Sequence, residues 1–279
     1  TGLSISAIAT DKKVGAGGVY YVLSRSLGLP IGGALGLALF VATAFSIALY
    51  MVGFAEIFNE YINYGMAGEN GEFLNDPNSI RITASLGLLI LTIIAFISTS
   101  IALKTQFFIL AAIVLSLFSI FLGDPGNVTA FEVAEGMETP RAGFAAIFAI
   151  FFPAVTGFTA GVAMSGDLRD PKKSIPVGTM GSIIIGLIIY TVLALFLAYA
   201  LDPETLINNP KAIVEMAAIG LLVYLGVWGA TLSSALGGIL GGPRILQAMS
   251  IDKITPKVFA KGVGKDNEPR NALILTVLI

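Results

Sequence analysis

Three groups of residues in this chain could bind small charged species. The first is Phe151-Phe152-Pro153-Ala154-Val155-Thr156-Gly157-Phe158-Thr159-Ala160-Gly161, which sets a proline, two glycines and two threonines inside an apolar run. Pro153 has no amide hydrogen and crowds the preceding turn, and glycine lets the backbone leave the helical region at low steric cost. A break there frees carbonyls around Phe152, Pro153 and Ala154, which can coordinate a cation. It also frees amides at Gly157, Phe158 and Thr159, which can hold an anion. The second group is Ala230-Thr231-Leu232-Ser233-Ser234. Its hydroxyls, with a backbone carbonyl, suit a hard monovalent cation. The third is Tyr50, a phenol well inside its apolar run, with Glu56 further along. Each has a plainer alternative: a proline kink, hydroxyls bonding back to the preceding turn, or a phenol serving an inter-helix hydrogen bond.

The elements that hold these groups follow from composition. Hydrophobic residues make up 56% of the chain, charged residues 12%, and the mean hydropathy is +0.87. A soluble domain carries about a quarter charged residues, so a water-soluble fold is a poor match. Crossing a hydrocarbon core takes runs of about 20 apolar residues, and stretches such as 86–97 lack the alternation of outer-membrane strands. The 32 glycines suit helices packing closely in lipid. There is no cysteine and no histidine, which removes disulfides, thiolate or imidazole metal sites and histidine-based catalysis from this stretch. An enzyme is not expected, nor a cofactor, nor nucleic acid as a partner.

Six complete spans are predicted at about 30–58, 82–103, 106–122, 142–163, 177–201 and 217–240, with a remnant at 1–10, all in a single transmembrane domain over 1–279. The chain opens at Thr1 without a signal segment and stops at Ile279 within the short apolar run 272–279, so an internal piece of a longer protein is expected. Basic residues alternate between loops. Lys12, Lys13 and Arg25 fall in the first, Lys104 in the third, Arg169, Lys172 and Lys173 in the fifth, and Arg244, Lys253, Lys257, Lys261, Lys265 and Arg270 in the seventh. The even loops hold only Arg81, Arg141 and Lys211, so the odd loops are expected on the cytoplasmic side of the plasma membrane. Span centres carry almost no fixed charge, so a bound ion would be held by dipoles, hydroxyls and a counter-ion.

The same segments resemble the cation–chloride cotransporters, a branch of the amino acid–polyamine–organocation superfamily. The likeness runs through Gly17-Gly18-Val19-Tyr20-Tyr21, Ser24-Arg25-Ser26-Leu27-Gly28, Ala48-Leu49-Tyr50-Met51-Val52-Gly53-Phe54-Ala55-Glu56 and the Pro153 segment. It continues in Ser165-Gly166-Asp167-Leu168, Ser174-Ile175-Pro176-Val177-Gly178-Thr179 and Gly242-Pro243-Arg244-Ile245-Leu246-Gln247-Ala248. The resemblance implies an all-α polytopic bundle with a leucine-transporter-like inverted-repeat fold, whose discontinuous sixth span contains Pro153. The six complete spans would be the third to eighth of twelve.

It further implies potassium at Tyr50, Pro153 and Thr156, chloride at Gly157, Phe158 and Thr159, and sodium at Ala230, Ser233 and Ser234. The serine pair favours a sodium-coupled type. The expected partners are chloride, sodium, potassium and the lipid bilayer, with a homodimer as the assembly. The long extracellular loops and cysteines of animal members are absent, which points to a microbial homologue. Cotransport of chloride with sodium, potassium or both is the leading expectation. An amino acid or polyamine permease on the same fold is the alternative, and a membrane enzyme or a scaffold is weaker.

Overall fold

A computed structural model describes residues 2–11, 17–67, 76–97, 99–128, 143–152, 157, 162, 168, 170–209, 211–264 and 267–279. Among them the architecture is helical throughout, and Val263 and Glu268 pair across an isolated antiparallel bridge. The helices in chain order are α1 (Gly2–Asp11), α2 (Val19–Leu27), α3 (Leu29–Ala67), α4 (Pro77–Ile97), α5 (Thr99–Phe121), α6 (Phe144–Phe151), α7 (Pro171–Ala200), α8 (Pro203–Asn208), α9 (Ala212–Met216), α10 (Gly220–Ile251) and α11 (Arg270–Leu278). Five of the described helices (α3, α4, α5, α7 and α10) are long and apolar enough to cross a membrane. The chain is a polytopic helical membrane protein.

Helix starts follow the local chemistry. Asp76 accepts from the amides of Asn78 and Ser79 ahead of α4, and Asp202 accepts from the Thr205 amide ahead of α8. Each thus satisfies donors that the first turn leaves free. These contacts hold both exposed carboxyls below the usual carboxylate value, the Ser79 and Thr205 hydroxyls being the largest cause in each case.

Helix ends depart from the predicted spans at several points: α4 begins at Pro77 and α7 at Pro171, so Arg81, Lys172 and Lys173, predicted in loops, lie inside helices, and three further departures have a visible cause. α3 runs nine residues past Phe58, because Asn59 is buried and accepts from the Thr83 hydroxyl of α4 at 2.8 Å. A polar residue that finds a partner on a neighbouring helix need not end its own. Lys104, predicted in a loop, lies inside α5 with its side chain exposed: α4 ends at Ile97 and α5 begins at Thr99. A long lysine can carry its charge out from within a helix end. Gly242, Pro243 and Arg244 are likewise not a loop, for α10 continues through them to Ile251. Arg244 is buried there and donates to the carbonyl of Asn267 at 3.0 Å, so part of its cost of burial is offset in the connection to α11.

α10 is the centre of the bundle, packed mainly on α3 and α5, with α4 and α11 beside it. Much of α10 is buried, including an unbroken run from Ile239 to Ser250, whereas α7 buries Pro171, Ile175 and Thr179 near its start and packs on α1. Two glycines let α10 come close on opposite sides. A Cβ at Gly226 would lie 2.3 Å from Cβ of Ser116 on α5, and one at Gly238 would lie 2.7 Å from Cγ1 of Ile47 on α3. Aromatic rings close the α3–α10 seam at one end, where Tyr61 meets Tyr224 and Trp228 with ring centroids 5.0 and 5.2 Å apart.

Candidate ion-binding cavity

Between α3, α5 and α10 lies a cavity of about 540 Å³. α3 contributes Thr43, Ser46 and Tyr50 to its wall, a polar stripe at helical spacing. From α10 come Ser233 and Ser234, with Gly237, Gly238 and Gly241 beyond them, and α5 adds Gln106. Gly157 also lines it. None of the described residues in the wall carries an Asp, Glu, Lys or Arg side chain. A lone ion entering such a space would lose its hydration without a fixed counter-charge, whereas a cation and an anion entering together offset one another.

The hydroxyls do not behave alike. Ser234 donates back along its own helix to the carbonyl of Ala230 at 2.9 Å, and Thr231 does the same to Val227 at 2.9 Å. Thr43 and Ser46 bond back to Leu39 and Ala42, each at 2.8 Å. Ser233 instead reaches across to α5 and donates to Oε1 of Gln106, while Nε2 of Gln106 donates to the Ser233 carbonyl at 3.4 Å. Ala230 is not part of the cavity wall but touches it through the Ser234 hydroxyl.

Tyr50, Gly157, Ser233 and Ser234, assigned to three different ions by resemblance, therefore share one space. α6 ends at Phe151, where the Phe152 amide closes the last turn on Phe148, and Gly157 has φ 96°, a left-handed conformation that favours glycine. Pro153, Thr156, Phe158 and Thr159 lie outside the described residues. Gln106, Thr43 and Ser46 are wall residues that sequence reasoning passed over. A lone amide at the edge of the run 106–122 and the spacing 43, 46, 50 were the available signals.

At the far end of α10 a second polar cluster ties the bundle together. Arg25 of α2 makes a two-pronged ion pair with Asp252, at 2.9 and 2.8 Å, and stacks over the Tyr21 ring 5.0 Å from its centroid. Tyr20, buried beneath, also donates to Asp252. The Arg25 guanidinium holds the Asp252 carboxyl below the usual carboxylate value, and burial together with Asp252 pushes the Tyr20 phenol up to about 12.

The model of the family described as "Amino acid permease" matches residues 1–279. Human solute carrier family 12 member 1 is 34% identical over 334 aligned residues, covering 100% of this chain and 30% of that protein. The bumetanide-sensitive sodium-(potassium)-chloride cotransporter of Manduca sexta is 32% identical over 335, covering 100% and 31%. Mouse solute carrier family 12 member 2 is 33% identical over 333, covering 100% and 27%. Alignments longer than the 279 residues of this chain mean that the relatives carry inserted positions. The chain spans about three tenths of the length of the curated relatives it matches. With apolar helices throughout, an uncharged polar cavity between three of them and a match along its whole length, the chain belongs to the amino acid permease family.

Proposed function

We propose that this chain belongs to a secondary transporter that moves chloride together with sodium, potassium or both by alternating access. The observation that carries the reading is the cavity between α3, α5 and α10, polar at Tyr50, Gln106, Ser233 and Ser234 yet without an Asp, Glu, Lys or Arg side chain among its described residues. Such a wall suits a neutral set of cation and anion. The similarity to a sodium-(potassium)-chloride cotransporter supports the choice of ions. Potassium is assigned to Tyr50 with Pro153 and Thr156, chloride to the amides of Gly157, Phe158 and Thr159, and sodium to the Ala230 carbonyl with Ser233 and Ser234. The cargo binds through backbone and hydroxyl groups, and no catalytic group is needed.

The same reading takes 1–279 as one transmembrane domain in the plasma membrane with the odd loops inside. Arg25 near the end of α2 and Lys253, Lys257 and Lys261 in the connection from α10 to α11, all exposed, support that orientation. A homodimer is part of the same proposal.

The test is ion flux through the full-length protein in vesicles, with sodium, potassium and chloride replaced one at a time. Cation uptake should fall when chloride is replaced. Uptake indifferent to chloride overturns the reading, and chloride-independent uptake of a labelled amino acid would favour an amino acid permease. Ser233→Ala and Ser234→Ala should each remove most of the sodium dependence while leaving chloride affinity in place.

A further inference from the structure

Gln106 has no role in the ion assignments above, yet it is the side chain that engages Ser233. Its geometry is over-determined. A backbone carbonyl can only accept, so the carboxamide must turn its NH2 end to the Ser233 carbonyl, at 3.4 Å. That leaves Oε1 facing the Ser233 hydroxyl, and since Oε1 can only accept, the hydroxyl donates. A serine hydroxyl has one hydrogen and two lone pairs. With the hydrogen committed to α5, the lone pairs are left for a cation. Ser234 and Thr231 show the ordinary alternative, donation to their own preceding turn.

Packing places the amide there. α5 runs antiparallel to α10: Gly226 faces Ser116, Gly229 faces Ile109 and Ala112, and Ser233 faces Gln106. A Cβ at Gly229 would lie 3.2 Å from Cγ2 of Ile109, one turn from Gln106. The glycine register thus sets the amide opposite the hydroxyl it holds.

We propose that Gln106 is a positioning residue for cation coordination: it takes the hydrogen of the Ser233 hydroxyl and so presents that oxygen's lone pairs to sodium. The proposal rests on the sodium assignment above and adds a residue on a different helix that tunes it. Outer-shell partners of this kind are worth about 10- to 100-fold in metal affinity.

The test is sodium activation of labelled chloride uptake by the full-length protein in proteoliposomes. Gln106→Met, which keeps the length and loses both hydrogen bonds, should raise the half-saturating sodium concentration about tenfold or more. Half-saturating chloride should stay within about twofold, because the anion does not meet this hydroxyl. On a Ser233→Ala background Gln106→Met should add nothing, since the group it positions is gone.

An equal shift of sodium and chloride, an unshifted sodium curve, or a full additional effect on the Ser233→Ala background overturns the proposal. If Gln106→Met does not assemble, Gln106→Asn, which withdraws the amide by one methylene, takes its place under the same criteria. A native protein without sodium dependence overturns the sodium assignment and the proposal together. A sodium-dependent native protein whose variants behave like it overturns the proposal alone.

Discussion

The Tyr20 hydroxyl donates to Oδ2 of Asp252 at 2.7 Å, joining residues 232 positions apart. Arg25 grips the same carboxylate from the solvent side, so α2 is pinned to the end of α10. Breaking this junction should cost about 1 kcal/mol, a charge-assisted bond discounted for the exposure of Arg25. The pH behaviour follows from the two shifts. The Asp252 carboxyl is depressed in the folded state, so its contribution is present at neutral pH and fades as pH falls through the lowered folded value. The Tyr20 phenol is raised to about 12, so its contribution is complete below about 10 and is lost as pH rises towards 12. Asp252→Asn should therefore show a constant deficit in thermal stability between about pH 5 and 9, closing at the acid end. A deficit absent at neutral pH would contradict the junction.

The α10 glycines should respond to size alone. Gly226→Leu and Gly238→Leu each drive a side chain into a neighbouring helix, and overpacking of this kind costs about 1–3 kcal/mol. Gly226→Ala is expected to be nearly as harmful, since its Cβ alone would sit 2.3 Å from Ser116. The melting temperature of purified protein in detergent decides this, and unchanged values would mean that the helices separate more easily than the packing implies.

Gly157 should respond to backbone conformation instead. Among the described residues a Cβ there meets nothing within 4 Å, yet φ is 96°. Gly157→Ala is expected to cost about 1–2 kcal/mol through the left-handed backbone alone. The loss should appear as a 5- to 30-fold rise in half-saturating chloride, with sodium activation little altered. A normal chloride curve in this variant would remove Gly157 from the anion site.

Tyr50→Phe deletes one hydroxyl from the cavity wall and leaves the ring. Half-saturating potassium should rise about tenfold, the worth of one hydrogen-bonding group, while half-saturating chloride stays in place. Potassium dependence that survives intact would return Tyr50 to a packing role.

Membrane helices were legible in the sequence because lipid demands apolar side chains over a fixed length. Their ends were less so. Hydropathy marks where lipid contact stops, but a helix can run on where its polar side chains find partners inside the protein, as those of Asn59 and Arg244 do. Tyr50, Ser233 and Ser234 stood out as hydroxyls in apolar runs, and the cavity brings them together. Gln106 did not, because it looked like the edge of a run. Its importance depends on a helix 127 positions away.

α10 carries the cavity serines and, without interruption, the turn that ends at Asp252. One inserted residue between them would rotate Asp252 relative to Ser233 by about 100°, taking the carboxylate away from Arg25. Evolution can therefore lengthen the connections between helices freely, but this stretch of α10 can change only by replacement, and its length should be constant in every homologue that keeps both ends at work.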